Sequence, residues 1–282
     1  MEFTKDLFCG SVSLRWFNCN CYQIKLPNGK TVITDPFMPT KDHPMEKWHK
    51  YDRGFSIEDL GSADYAIVGH PHADHIGSLP ELFDMYAPRV LCHSVYAIRL
   101  TLDLKIPQQM IFPFDNNQHY EFNDFTLDTI VARHGPGYVG QRPEKNRIID
   151  PDTVWEEMNM LGALYNTNYI LTTKNNIRIA FCAGFFDDVE KNNWKDKYIN
   201  ILLRQCGNMD NDPEVCAKAA EDMMVTGAEI MLPIHHERFS SDIVISFADR
   251  VNKILADRGY HGRMIAPECG KWYDIGMAVR ER

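Results

Sequence analysis

Four potential metal ligands fall within six consecutive residues of this chain, and no other feature constrains its fold as strongly. A short apolar segment at 64–69 predicts a buried strand, and residues 78–86 predict a helix. The segment between them has the pattern His-x-His-x-Asp-His, with candidate ligands at His70, His72, Asp74 and His75. The cluster therefore lies where a strand ends and a helix begins, which is where α/β proteins place binding groups.

The chemistry of this cluster suits one metal ion or two. Imidazole nitrogen and carboxylate oxygen together accept zinc, iron or manganese. Residues two apart in an extended segment point to the same side, so His70 and His72 can share one ion. Pro71 between them disfavours helix at this point, and Asp74 and His75 fall in the following turn, where they can face a second ion. The alternative is a solvated histidine-rich loop without ligands, which the position of all four groups at one strand end disfavours.

The same four residues match the signature of the metallo-β-lactamase-fold hydrolase superfamily. The N-terminal strands fit this resemblance: segments 12–16 and 21–26 pair around a turn, and segment 30–37 contains the family's Asp-Pro, here Asp35-Pro36. Within the superfamily the chain most resembles the branch of ascorbate-6-phosphate lactonase and related UlaG-like proteins. The resemblance implies an α/β protein folded as a four-layer αβ/βα sandwich, with two mixed sheets and helices outside. It also implies a single domain over residues 1–282.

The resemblance assigns further ligands outside the first motif. His134 follows the apolar strand at 125–131 and corresponds to the family's isolated histidine, although a lone histidine is by itself more often a structural residue than a ligand. The last family histidine follows an apolar strand and a proline, which corresponds to His235. His236 is the competing assignment, because neighbours on a strand point to opposite faces.

One ligand of the family pattern does not carry over. Family members usually end a strand with Gly-Asp, and this aspartate bridges two metals, but here Phe185 stands at that position. Either Asp187 or Asp188 reaches back to the metal, or the bridge is missing. The competing interpretation of both is an acid in the first turn of a helix, which we favour for Asp188, and Asp187 is kept as a candidate ligand. A single ion held by the first two histidines of the cluster and His134 is the alternative, since three protein ligands plus water are common at catalytic zinc.

Composition excludes several classes of function. The net charge of −9 argues against nonspecific nucleic-acid binding, which needs a basic face, but it leaves room for a local pocket for an anionic small molecule. No apolar run is long enough to cross a bilayer, and the N-terminus lacks the features of a signal peptide, which predicts a cytoplasmic protein without membrane partners. The eight cysteines show no disulfide framework. Cys19 and Cys21 form a Cys-x-Cys without a second pair, which we interpret as one buried thiol and one turn residue.

Three segments depart from a simple alternation of strands and helices. Residues 39–59 predict a loop with one helical turn, which is either a lid facing the substrate or a surface excursion with aromatic anchors. Residues 135–161 follow His134 and form a long insertion suited to specificity, where Arg133, Arg142 and Arg147 are candidates to receive an anion. Residues 187–225 predict a mainly helical region.

These features together predict a metal-dependent hydrolase. The expected cofactor is Zn²⁺, with Mn²⁺ or Fe²⁺ as alternatives, as one or two ions that activate hydroxide for attack on an ester, lactone, amide or phosphodiester-type substrate. Asp74 would orient this hydroxide, and His236 or a metal-bound water would protonate the leaving group. The alternatives are a noncatalytic or mononuclear metal-binding member of the fold and an iron-dependent redox protein. The expected partner is a small-molecule substrate, and the resemblance also implies a homo-oligomer.

Overall fold

The computed structural model describes residues 11–43, 46–134, 158, 161–162, 164–182, 188–195, 197–207, 209 and 213–276. Within these residues the strands form two seven-stranded sheets. The strands of the first sheet are β1 (Val12–Asn18), β2 (Cys21–Lys25), β3 (Thr31–Thr34), β4 (Tyr65–Ile67), β5 (Arg89–His93), β6 (Ile111–Phe114) and β14 (Tyr273–Ile275). Those of the second are β7 (His119–Glu121), β8 (Phe125–Ala132), β9 (Asn166–Thr173), β10 (Arg178–Cys182), β11 (Ile201–Gln205), β12 (Ile230–Ile234) and β13 (Arg263–Met264).

Both sheets are mixed, with an antiparallel half and a parallel half. The order of the first is β14-β1-β2-β3-β4-β5-β6, antiparallel as far as β3 and parallel from β3 to β6. The order of the second is β13-β12-β11-β10-β9-β8-β7, parallel from β13 to β10 and antiparallel from there. A tight turn joins β2 to β3, where Gly29 has φ +86°, a conformation open to glycine at little cost.

Helices cover the outer face of each sheet. Their bounds are α1 (Ala73–Ile76), α2 (Leu79–Tyr86), α3 (Ser94–Leu104), α4 (Asp188–Trp194), α5 (Pro213–Thr226) and α6 (Ser241–Asp257). Short 3₁₀ helices lie at Glu46–Tyr51, Ile57–Leu60 and Gln108–Met110. In α6, the buried residues recur at helical spacing and form one apolar stripe: Val244, Phe247, Ala248, Val251 and Leu255.

Three apolar clusters define the layers of the molecule. The first lies between the sheets and combines side chains such as Ile24 and Leu91 from one sheet with Leu171 and Leu203 from the other. A second joins β9–β12 to α4, α5 and α6, and a third joins β3–β5 to α2 and α3. The order helix, sheet, sheet, helix confirms the predicted four-layer sandwich. The prediction of one domain over residues 1–282 stays a prediction.

The region at 187–225 contains a strand in addition to the helices that were predicted for it. Helix α4 begins at Asp188, as the first-turn interpretation of that acid requires, but β11 (Ile201–Gln205) follows it. Its apolar residues are buried because β11 lies between β10 and β12, parallel to both. A short apolar run of this kind does not show from its own spacing whether it forms a helix or a strand.

The segment at 39–59 contains more helical structure than predicted. It forms the 3₁₀ helix Glu46–Tyr51 and enters a second at Ile57. Trp48 is buried, and its ring packs edge-on against Phe37, with ring centroids 5.0 Å apart. This contact agrees with the interpretation of the segment as an excursion with aromatic anchors. None of the helices in the described ranges combines the length and apolar character needed to cross a membrane.

Candidate metal centre

The predicted ligands lie at the ends of strands from both sheets. Segment 70–75 follows β4, His134 follows β8 and His235 follows β12. Two backbone hydrogen bonds join the sheets at this edge: the amide of Thr167 donates to the carbonyl of Gly69 (2.9 Å), and the amide of His235 donates to the carbonyl of Cys19 (2.9 Å). The fold therefore brings residues that are remote in sequence to one place.

The first group of ligands consists of His70, His72 and His134. One nitrogen from each ring lies within 4.8 Å of the other two, and Nε2 of His70 is 3.1 Å from Nδ1 of His72. Two nitrogens bound to one tetrahedral zinc at ~2.0–2.1 Å would be ~3.3–3.4 Å apart. The spacing of these two donors therefore fits a shared ion.

The protonation of His70 also suits a metal ligand. Burial, reinforced by the neighbouring histidines, holds the pKa of His70 well below its usual value. The imidazole is therefore neutral at pH 7, which is the form that binds metal. Donor type, spacing and protonation all agree with a divalent transition metal at this group.

A second group of ligands surrounds the carboxylate of Asp74. Its Oδ2 lies 3.3 Å from Nε2 of His235 and 3.9 Å from Nε2 of His75. A third donor, the thiol sulfur of Cys19, lies within 4.8 Å of both the Asp74 and His235 donor atoms. The structure thus brings together three predicted ligands and one residue that we interpreted only as a buried thiol or a turn residue.

Asp35 fixes the ring of His75 from behind. Its Oδ2 lies 2.7 Å from Nδ1 of His75, and its Oδ1 accepts a hydrogen bond from the amide of Gly69 at 2.7 Å. The side-chain amide of Asn20 donates to the same Oδ2 at 3.3 Å. With Nδ1 engaged, the other ring nitrogen of His75 is left to face Asp74, as in the carboxylate–histidine–metal arrangement.

In the sequence, Asp35 belongs to a strand motif that does not by itself assign it to the site. A signal existed, because β3 and β4 are adjacent parallel strands whose carboxyl ends lie together. Asp35 follows β3 as the histidine cluster follows β4, and its φ of +37° is unusual for a non-glycine residue.

Charge in the second group is concentrated on three side chains. Burial opposes ionisation of Asp74, but His75 and His235 outweigh it and lower the pKa of this carboxyl. Burial also opposes a charge on His235, yet hydrogen bonds to Asp74 and Glu237 raise its pKa to about 10. Glu237 is buried and contacts Nδ1 of His235 at 3.2 Å. Two carboxylates thus hold a proton on this imidazole when no metal is bound, and a metal ion that binds here has to displace that proton.

The structure separates His235 from His236. His235 is in the second ligand group, whereas the ring of His236 stacks on Trp16 with centroids 4.0 Å apart. Burial lowers the pKa of His236 to about 3, so its ring is neutral at pH 7. The position of His235 among these donors favours it as the ligand, and the environment of His236 does not favour it as the proton donor to a leaving group.

Close packing also positions His72. A Cβ placed on Gly162 would lie 2.3 Å from Cδ2 and 2.8 Å from Nε2 of the His72 ring. Only glycine fits at 162 without displacing this ligand. Gly162 lies far from the histidine cluster in sequence, so no local pattern marked it.

Comparison with known proteins agrees with this geometry. Residues 14–156 match the Metallo-beta-lactamase superfamily. The chain belongs to this superfamily.

The curated relatives of this chain are named metal-dependent hydrolases. A UPF0173 metal-dependent hydrolase from Cupriavidus necator is 31% identical over 269 residues, which is 94% of this chain and 86% of that protein. One from Polaromonas sp. is 32% identical over 237 residues, covering 80% and 78% of the two chains. These relatives confirm the predicted class of enzyme, a metal-dependent hydrolase. The narrower resemblance to ascorbate-6-phosphate lactonase stays a prediction.

Solved structures show the same fold. The metallo hydrolase Igni18 from Ignicoccus hospitalis aligns with a TM-score of 0.61 at 15% identity, over 95% of this chain and 100% of that one. An isothiocyanate hydrolase from Delia radicum gut bacteria aligns with a TM-score of 0.62 at 13% identity, over 94% and 100%. At these identities the likeness concerns the fold alone.

Some predicted site residues lie outside the part of the chain that the structure describes. They include Asp187, the candidate replacement for the superfamily's bridging aspartate, together with Phe185 at the aspartate's usual position. Two of the three predicted anion-binding arginines, Arg142 and Arg147, lie outside it as well. The third, Arg133, is exposed beside His134.

Proposed function

We propose that this metal-dependent hydrolase uses zinc to hydrolyse a small ester, lactone or phosphodiester-type molecule. The observation that supports this proposal is the first ligand group, in which nitrogens of His70, His72 and His134 lie within 4.8 Å of one another. When bound there, a zinc ion supplies hydroxide near neutral pH and polarises the bond to be cleaved.

The two ligand groups have different roles in this proposal. The first group holds one ion, and Asp74 with His75 and His235 offers ligands for a second. The side chain of Asp74 is 39% exposed, so one face of it remains open to water and substrate while Oδ2 contacts His235. A carboxylate in this position can orient the attacking water.

An exposed cation linked to the ligand His235 through Trp16 and His236 is consistent with an anionic substrate. Arg53 is exposed, and its guanidinium carbon lies 6.0 Å from the ring of Trp16, which stacks on His236 next to the ligand His235. A guanidinium binds carboxylate and phosphate oxygens through paired hydrogen bonds. We therefore propose that the substrate is a small anionic molecule. We further propose that the protein acts in the cytoplasm as a homo-oligomer, without nucleic-acid or membrane partners.

The test combines elemental analysis with a hydrolysis panel. Purified protein is assayed for bound metals and for hydrolysis of chromogenic esters, lactones and phosphodiesters. We expect bound zinc, activity on one class, and loss of both in His72→Ala. The matched control is His119→Ala, which removes a half-exposed histidine that contacts Asp128 on the β7–β8 edge.

Two results would contradict this proposal. Protein without metal, whose unfolding temperature a chelator leaves unchanged, would indicate a noncatalytic member of the fold. Iron in excess of zinc, with oxygen consumption, would indicate the redox alternative.

A further inference from the structure

Cys19 occupies the turn between β1 and β2, directly beside the second ligand group. Cys19 is 1% exposed, and its sulfur lies within 4.8 Å of the Asp74 and His235 donor atoms. Within the described residues, these three donors form a set separate from the one made by His70, His72 and His134.

We propose that Cys19 is a thiolate ligand of a second metal ion, which it shares with Asp74, His75 and His235. The inference rests on the proposed metal-dependent function and adds a ligand that the superfamily resemblance did not assign. One sulfur, one carboxylate oxygen and two imidazole nitrogens form a four-ligand set of the kind that binds zinc.

The backbone holds Cys19 in a fixed position relative to His235. The carbonyl oxygen of Cys19 accepts hydrogen bonds from the amide of His235 (2.9 Å) and from Nε1 of Trp16 (3.1 Å). Its own amide donates to Oδ1 of Asn18 at 3.0 Å. These bonds set the positions of both candidate ligands before a metal binds.

Both residues also have unusual backbone conformations. The φ angles of Cys19 and His235 are +35° and +59°, in the left-handed region that non-glycine residues seldom occupy. Such strain persists where the surrounding structure imposes it, and it is concentrated at functional sites. The strain here falls on two residues whose side chains meet at one group of donors.

Packing alone does not account for the surroundings of the Cys19 sulfur. The residue belongs to an apolar cluster with Phe37, Trp48 and Ala73, as a small buried hydrophobe would. However, the carboxylates of Asp74 and Glu237 also lie close to the thiol, which is hydrogen-bonded to Glu237. Two carboxylates beside one buried sulfur form an environment that favours a cation.

Charge balance supports a thiolate at this position. In sequence, Phe185 stands where the superfamily's bridging aspartate is expected, and Asp187 is the candidate to replace it. The thiolate of Cys19 with the carboxylate of Asp74 supplies two negative charges, which neutralise a divalent ion. A sulfur ligand also selects zinc or iron over magnesium and manganese at this position.

Cobalt substitution tests the inference directly. A thiolate bound to Co²⁺ gives an intense near-ultraviolet charge-transfer band, which nitrogen and oxygen ligands do not give. We expect the wild-type protein to bind two Co²⁺ per chain and to show this band. Cys19→Ser should lose the band, and Cys19→Asp should lose it while keeping both ions, because aspartate preserves the negative charge.

Cys21 provides the matched control. It is fully buried two residues away, in β2, and packs in the apolar cluster of the first sheet and its helices. Cys21→Ser should keep the band and both ions. If Cys19→Ser does not fold, the wild-type and Cys19→Asp spectra still decide the question.

The outcomes separate this inference from the proposed function. Two bound ions without a thiolate band, a single bound ion without the band, or a band that persists in Cys19→Asp would overturn the role of Cys19 and leave the three-histidine site intact. A wild-type chain that binds no cobalt would overturn both.

Discussion

The imidazole of His75 and the carboxylate of Asp35 meet at 2.7 Å, and both side chains are buried. This contact joins the ends of the adjacent parallel strands β3 and β4. It leaves Nε2 of His75 on the side of Asp74, 3.9 Å from its carboxylate. The orientation of a predicted ligand thus depends on a residue outside the histidine motif.

Replacing Asp35 should lower the affinity for metal more strongly than it lowers the stability of the fold. In Asp35→Asn, an amide takes the place of the carboxylate beside Nδ1, so the ring of His75 loses its charged acceptor. Removal of such a partner typically lowers metal affinity by about 10–100-fold. Competition of the bound ion with a chromogenic chelator measures this change.

Asp64→Asn is the control for this substitution. Asp64 lies just before β4 and pairs with Lys30 at 2.8 Å on a partly exposed surface. Its replacement should leave metal affinity unchanged. Equal affinities for Asp35→Asn and wild type would show that Asp35 does not position His75.

Gly162→Ala should displace His72. The new methyl group would lie 2.3 Å from the ring, closer than any normal contact, so the ring or the local backbone must shift. We expect a large loss of metal at the three-histidine group, with a smaller loss of stability. Gly276→Ala, where a Cβ meets no atom within 4 Å, is the control and should retain the metal. Elemental analysis of the two purified variants decides the result, and full metal content in Gly162→Ala would argue against the prediction.

The fold was predictable because its signals are local or belong to a strong motif. The periodicity of β1, β2 and β8, the turn at Gly29 and the cluster at 70–75 each indicate structure within a few residues. The strand β11 was missed for the opposite reason. Its three apolar residues at 201–203 would look alike in a helix or a strand until the neighbours β10 and β12 are known.

The residues that support the site were harder to predict from the sequence than its ligands. Asp35, Cys19 and Gly162 act through contacts with residues remote in sequence. Their roles depend on the tertiary fold, which a single sequence does not show. Cys19 is an example, because its partner His235 is 216 positions away in the sequence.

The neighbours His235 and His236 should respond differently to the same substitution. His235→Asn removes a ligand from the second group while keeping a residue type that tolerates its φ of +59°. We expect loss of the second ion with little loss of stability. His236→Asn removes the stack on Trp16, so we expect both ions to remain and the free energy of unfolding to fall by about 0.5–1.5 kcal/mol or more. Metal content and urea unfolding of the two variants measure these effects, and loss of the second ion in His236→Asn alone would reverse the assignment.

The buried ion pair between Arg204 and Asp222 should stabilise the fold independently of metal. Nε and Nη2 of Arg204, on β11, lie 2.8 and 2.6 Å from Oδ2 of Asp222, on α5. Asp222→Asn leaves the buried guanidinium without its countercharge, which typically costs about 3–5 kcal/mol. Urea unfolding should show this loss equally with and without a chelator, because the pair is not part of either ligand group.

The adjacent residue Glu221 provides the control for this pair. Its carboxylate contacts Lys191 at 2.8 Å but is 46% exposed, so Glu221→Gln should cost no more than about 1 kcal/mol. Replacing both buried charges, as in Arg204→Met with Asp222→Leu, should recover most of the loss, since similar apolar replacements are often neutral or stabilising. A cost for Asp222→Asn no larger than that for Glu221→Gln would mean that water reaches the guanidinium once its partner is removed.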